Sequence, residues 1–406
     1  MTSFREFEAL VDTAINDGTI PGVVVVAKDK SGKLNYVHSA GQASLSPASP
    51  KPMAPNTIFA LASMTKLITT IALLQLVERG QLSLDENITP HVPALAQQPV
   101  LSPTSSSNAA TTTPRVTPIT LRHLLTHTSG IAYPFLDPIL SKLKAEKTGS
   151  RDPISGRTVA ERYGLPLLFE PGTQWQYGAS LDWAGAVLES VAGVDLETWA
   201  QQHIVSPLGI PRESMTFFPH RVPGLVDSPR FAKMSIRNKS TRRVEFAPGQ
   251  GERYLVNDDA FGGEGLYADL TAYAEVLHSL LLDDGRLLSP QTTAQMFVPA
   301  IPTPEAKASL LRQLETPDWI VGVVPRTGEY DWGLGGLLVD GNSHPYRRRG
   351  ALFWSGMFNL TWFIDREAGV CGAFGTQVLP AADPLVRPLH EKFEEAVYGQ
   401  AKAWKL

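Results

Sequence analysis

Ser63 and Lys66 are the residues of this chain whose types and spacing could do covalent chemistry. A serine hydroxyl is a poor nucleophile until a neighbouring base takes its proton. On a helix, positions three apart share a face, so the Lys66 amine can lie beside the Ser63 hydroxyl. The pair stands at the head of an apolar run from Leu67 to Leu76. That run is too long and continuous for a surface strand and reads as a buried helix. Ser63 would then fall in its first turn, where free N–H groups and the helix dipole favour developing negative charge.

Spacing alone carries little weight, because chance supplies about one S-x-x-K in a chain of this size. A second copy, Ser141-Lys142-Leu143-Lys144, is flanked by Lys and Glu and reads as a solvated helix face. The plain alternative for Ser63 and Lys66 is a helix cap beside a snorkelling lysine. His123 and His127 have the i, i+4 spacing of a metal pair, but no intervening Glu or third ligand is evident. Structural hydrogen bonding is the expected role for both, and no metal is expected. Phe261-Gly262-Gly263-Glu264-Gly265-Leu266 has the glycines of a phosphate loop without its Lys-Ser/Thr, so close backbone packing is expected there.

The elements that must position these residues come from a chain of 406 residues, 43% of them hydrophobic, enough for a large core in two or three structural units. Net charge is −4 with no basic stripe, which argues against a nucleic-acid partner. Arg347-Arg348-Arg349 is short and reads as a solvated turn. Cys371 is the single cysteine, so neither an internal disulfide nor a Cys-based metal site can form; it reads as a small buried hydrophobe. The first residues lack the basic and apolar regions of a secretion signal, and no run approaches a membrane span. A soluble cytoplasmic protein without a membrane partner is expected.

Apolar spacing predicts a helix over Phe4 to Asn16, then a hairpin of Val23–Ala27 and Leu34–His38 at the edge of a mixed sheet. Gln97 to Pro118, rich in Ser, Thr, Ala and Pro, reads as a mobile surface excursion. A short helix near Leu121, a polar–aromatic loop from Thr173 to Ser180 and helices from Leu181 and Leu196 follow. Another helix is predicted over Leu270 to Leu282. Late strands at Leu337–Val339, Gly350–Trp354, Asn359–Asp365 and Val370–Gln377 read as an antiparallel meander, closed by a helix over Leu389 to Tyr398. The predicted class is α/β. Residues 1–57 and 255–406 build an antiparallel sheet flanked by helices, residues 58–254 form a mainly helical insertion, and the site lies between them.

Three pieces stand in a telling order: Ser63-Met64-Thr65-Lys66 opening a helix, Tyr177 on a loop, and Trp354-Ser355-Gly356 ending a late strand. With Leu124-Leu125-Thr126-His127-Thr128-Ser129-Gly130 and Phe261-Gly262-Gly263, they run along nearly the whole chain. The sequence resembles the penicillin-recognising serine hydrolases: class C β-lactamases, D-alanyl peptidases and the related family VIII esterases. Within them it looks most like the fungal esterases and acyltransferases that act on statin side chains. The resemblance implies the β-lactamase/transpeptidase-like fold and an acyl-enzyme on Ser63, with no cofactor. Lys66 and Tyr177 would share the proton work, and which of them is the acylation base stays open at this point. The backbone N–H groups of Ser63 and Met357 would form the oxyanion hole. Trp354, Ser355, Gly356 and Tyr133 would meet the substrate.

Two departures bear on that substrate. The lactamase asparagine two residues after the tyrosine is Ala179 here, and the lysine opening the strand motif is Trp354. Both changes remove polar groups that would bind a lactam, and tryptophan offers an apolar wall. The expected activity is hydrolysis of a short branched acyl ester of a bulky, statin-like polyketide. Transfer of the acyl group to a polyketide alcohol is the first alternative, and β-lactamase or D-alanyl peptidase activity the second. A non-enzymatic scaffold is opposed by the intact Ser63, Lys66 and Tyr177.

Overall fold

The computed structural model describes residues 2–102, 110–152, 154–251 and 255–403. Helix α1 (Phe4–Asn16) starts on a capping box in which Ser3 and Glu6 satisfy each other's backbone N–H groups. Strands β1 (Gly22–Asp29), β2 (Asn35–Ser44) and β3 (Lys51–Pro52) follow. Helix α2 (Thr65–Glu78) comes next, then α3 (Leu121–Leu125), α4 (Pro138–Thr148), α5 (Val159–Tyr163), α6 (Ser180–Ala192) and α7 (Leu270–Leu282). Strands β4 (Tyr330–Trp332), β5 (Leu337–Val339), β6 (Leu352–Gly356), β7 (Leu360–Asp365) and β8 (Val370–Gly375) precede the last helix, α8 (Arg387–Ala403).

One eight-stranded sheet has the order β4-β5-β6-β7-β8-β1-β2-β3. Every pairing in it is antiparallel, and β1 meets β8 in the register Val25↔Phe374. The sheet is therefore not mixed, and β1 is an interior strand. The reason lies in its residues. Val23, Val24, Val25 and Val26 are wholly buried, so both faces of β1 are covered. On one face Phe363 and Phe374 meet Phe393 of α8, which also meets Phe7 of α1. On the other, a Cβ on Gly375 would strike Leu270 of α7. Burying each such phenylalanine contributes about 1.5–3 kcal/mol. The edge strand β4 is not among the predicted strands because it spans only three residues, too few for its polar–aromatic alternation to stand out.

A small sheet ties the helical middle to the large one: Tyr267–Asp269 pairs with both Ile58–Ala60 and Met215–Thr216. The Ser- and Thr-rich tract is not wholly a surface excursion, because Val100 and Leu101 are buried and pair with Thr112 and Thr113. Ser105-Ser106-Ser107 lies outside the described residues.

Two charged stretches are solvated only in part: Ser141, Lys142, Arg348 and Arg349 are exposed, but each stretch buries one cation. Lys144 is buried, and its amine donates to the carbonyls of Ser155, Glu161 and Arg162 at 2.7, 2.9 and 3.0 Å. Burial, then the charges of Arg162 and Lys147, pulls its pKa down to about 8. Arg347 is buried too, with Glu394 accepting from its Nε at 2.9 Å and from its Nη2 at 2.6 Å. Removing one partner of a buried pair strands the other charge, so Glu394→Ala is expected to cost about 3–5 kcal/mol in urea unfolding. A loss below about 1 kcal/mol would mean that water reaches Arg347. Cys371 is buried in β8, and burial pushes its thiol pKa well up.

Candidate active site

Ser63 stands one turn earlier than its spacing predicts. It lies in a 3₁₀ turn, Ala62–Met64, that runs directly into α2. Ala62 holds φ at +46°, a left-handed conformation that costs a non-glycine residue about 1–3 kcal/mol. In α2, Thr65 to Leu76 are all buried, so the helix is a fixed post in the core. Lys66 is 1% exposed. Its Nζ lies 3.1 Å from Ser63 Oγ, 3.0 Å from Tyr133 Oη and 2.7 Å from the Gly263 carbonyl.

Both tyrosines stand beside Lys66. Tyr133, predicted as pocket wall, shares a hydrogen bond with Lys66. Tyr177 makes no hydrogen bond to Ser63 or Lys66. Its ring lies 4.8 Å from Lys66 Nζ, and its Oη accepts from Trp354 Nε1 at 3.0 Å. Burial, then the charge of Asp182, raises the Tyr133 pKa well above the usual phenol range. The loops carrying the two rings press together at Gly178, where a Cβ would come within 2.3 Å of the Ile131 carbonyl. Only glycine permits that approach.

Strand β6 passes close beside the nucleophile turn. A Cβ on Gly356 would lie 2.3 Å from the Leu61 carbonyl. Gly356 thus packs on the turn that holds Ser63 and does not line the cleft, contrary to its predicted part. Trp354, Ser355 and Met357 do line it, with Ser63, Tyr133 and Tyr177. The cleft encloses about 190 Å³. Trp354 is no broad wall: it is 4% exposed, wedged against Trp332 and Tyr177 at ring distances of 4.7 and 5.1 Å. The open apolar surface at the cleft belongs to Phe135, Leu136 and Trp319. The available sign for Trp319 is its place at the head of the short apolar run Trp319-Ile320-Val321 after Thr316-Pro317.

His127 is packed as an aromatic ring, not hydrogen-bonded as predicted. Both its ring nitrogens are buried without a partner, and it meets Tyr177 at 4.8 Å and Trp332 at 5.0 Å. Burial, then the charge of Lys66, holds its pKa well below the usual imidazole range. His123 does make a structural bond, accepting the Thr120 N–H on Nδ1. Among the described residues no group of His, Cys, Asp and Glu is placed to hold a metal ion.

Behind Lys66 lies a buried charge cluster that spacing did not reveal. Glu264 accepts from Arg162 Nη1 at 2.9 Å and from Tyr163 Oη at 2.7 Å. Asp182, in the first turn of α6, accepts the Gly263 N–H at 2.9 Å.

A strained serine turn, an adjoining buried lysine and a facing antiparallel strand invite comparison with known folds. A family model described as Beta-lactamase matches residues 7–392. The chain belongs to the Beta-lactamase family. Its relatives in this family include monacolin J acid methylbutanoyltransferase of Aspergillus terreus, 37% identical over 98% of this chain and 95% of that protein. Lovastatin esterase of Penicillium rubens is 38% identical over 98% of both chains. Among solved structures, unliganded simvastatin synthase (LovD) of Aspergillus terreus superposes with a TM-score of 0.86, at 36% identity over 98% of both chains. The sequence-level resemblance and fold class are thus borne out. No helix among the described residues is long and apolar enough to cross a membrane.

Proposed function

We propose that this Beta-lactamase family member is a serine esterase acting through an acyl-enzyme on Ser63. Its substrate would be a short branched acyl ester of a bulky, hydrophobic polyketide of statin type. The observation that carries the reading is Ser63 Oγ 3.1 Å from a buried Lys66 amine, at the floor of an apolar cleft. The named activities of the relatives, an esterase and an acyltransferase, support the substrate class.

In this reading Lys66 Nζ takes the Ser63 proton as Oγ attacks the ester carbonyl. The backbone N–H groups of Ser63 and Met357 hold the oxyanion. As the C–O bond breaks, Tyr177 Oη gives its proton to the leaving alkoxide and is reprotonated from Lys66, a contact that closes only with substrate bound. The Trp354 N–H, directed at Tyr177 Oη, supports this role because it stabilises the phenolate formed in that step. Water then attacks the acyl carbonyl, gives a proton to the same base, and Ser63 leaves protonated. Tyr133 holds the Lys66 amine from the other side and forms part of the cleft wall.

Acyl transfer is the second reading, favoured by the methylbutanoyltransferase relative at nearly the same identity. An alcohol would replace water in the second half-reaction, with the same groups. Lactamase chemistry is disfavoured by Ala179 and by Trp354. Incubation with a statin-type ester, with and without the deacylated alcohol and an acyl thioester, tests the choice by product analysis. Free acid as the main product supports the esterase; ester formed from alcohol and thioester supports the transferase; a chromogenic cephalosporin cleaved faster than any ester overturns both.

Trp354→Phe keeps an apolar ring but loses the N–H. The expected result is a kcat lowered about two- to tenfold with KM for a bulky ester little changed, the scale of one hydrogen bond. A raised KM with native kcat would make Trp354 a substrate contact instead.

A further inference from the structure

Asp182 is the buried group that the proposed chemistry leaves unused. Its Oδ1 accepts the Gly263 N–H at 2.9 Å, while its Oδ2 is buried with no partner. Gly263 is the residue whose carbonyl takes the Lys66 amine at 2.7 Å. A Cβ at Gly263 would come within 2.3 Å of Asp182 Oδ2, so this carboxylate approach requires glycine. The neighbouring Gly262 carbonyl accepts from Thr69 of α2, which pins the same segment to the nucleophile helix.

We propose that Asp182 is a positioning residue for Lys66. It fixes the carbonyl that holds the amine, and its charge sets how readily the amine takes the Ser63 proton. This inference rests on the acyl-enzyme reading of Ser63 and Lys66. The groups that face Asp182 are Lys66 from α2, Arg162 and Tyr163 from α5, Glu264 from the glycine loop, and Tyr133. Burial, then repulsion by Glu264, raises the Asp182 pKa to about 7, against the opposing pull of Lys66, the Gly263 N–H and Arg162. Asp182 and Lys66 thus hold the N–H and the carbonyl of one glycine and attract each other by charge.

Asp182→Asn isolates the charge, since the amide oxygen still accepts the Gly263 N–H. The assay is the pH dependence of kcat/KM for p-nitrophenyl acetate, with thermal unfolding as the check on folding. Loss of the negative charge eases proton loss from Lys66, so the acid limb is expected to move to lower pH by about one unit, the usual scale for removing an opposite charge. An acid limb that is unmoved, or moved upward, overturns the proposal, because a purely structural carboxylate would leave it in place. If Asp182→Asn does not fold, the linkage is read from the other side. Infrared titration of the buried carboxyl band is compared between the native protein and Lys66→Gln. A higher midpoint in Lys66→Gln supports the proposal, and coincident midpoints overturn it. Ser63→Ala separates the two levels: activity surviving there rejects the acyl-enzyme reading itself, whereas an inactive Ser63→Ala beside an unmoved Asp182→Asn limb rejects this inference alone.

Discussion

Ser63→Ala is expected to lower ester turnover by about a millionfold, the scale seen when a serine nucleophile is removed from a hydrolase. The hydroxyl is asked to form the covalent intermediate, and no other group near Lys66 can replace it. Tyr133 Oη is as close to the amine, but a phenol ester would be a poor resting place for the acyl group. The alanine variant should unfold at the native temperature, because one partly exposed hydroxyl contributes little to stability. Intact mass after reaction with a fluorophosphonate gives the direct check: one adduct on the native chain and none on the variant. An adduct on another serine, or near-native turnover by Ser63→Ala, would remove the nucleophile assignment.

Lys66→Met is expected to lower the acylation rate by about two to four orders of magnitude, the range for a general base. Methionine keeps most of the stem volume inside α2 and removes the amine that Ser63, Tyr133 and the Gly263 carbonyl share. Single-turnover acylation by a nitrophenyl ester measures the step without product release. A loss of less than tenfold would transfer the base to Tyr177. The ring centre of Tyr177 stands 4.8 Å from the amine, and its hydroxyl oxygen already accepts from Trp354.

The parts of the site that were legible in the sequence share one helix turn or one loop. Ser63 and Lys66 are three residues apart, and the apolar run behind them announces the helix. The rest is built across the fold. Gly263 reaches Lys66 from 197 positions away, and Trp354 reaches Tyr177 from 177 positions away. Neither contact leaves a period in the sequence. Charge misled for a related reason. Lys144 and Arg347 look solvated beside their charged neighbours, yet each is buried on acceptors supplied by remote segments. The sheet was readable where strands alternate or run apolar, as in β6, β7 and β8. It was misread at β1, because a hairpin in sequence does not tell which of its sides will be covered by a strand from the far end.

The pairing of β1 with β8 also dictates when this protein can become active during its synthesis. Thr376 closes on the Gly22 carbonyl across 354 positions, and strand β1 has no neighbour on that side until β8 has been made. Contacts of such long sequence separation are slow to form, since the loop must close before they contribute. The serine turn is translated early, but β6, which passes beside it, and β8, which joins the sheet to the first strand, emerge from the ribosome late. A nascent chain therefore carries its serine–lysine pair without the strand that faces it, and the cleft is complete only when the two halves of the sheet meet.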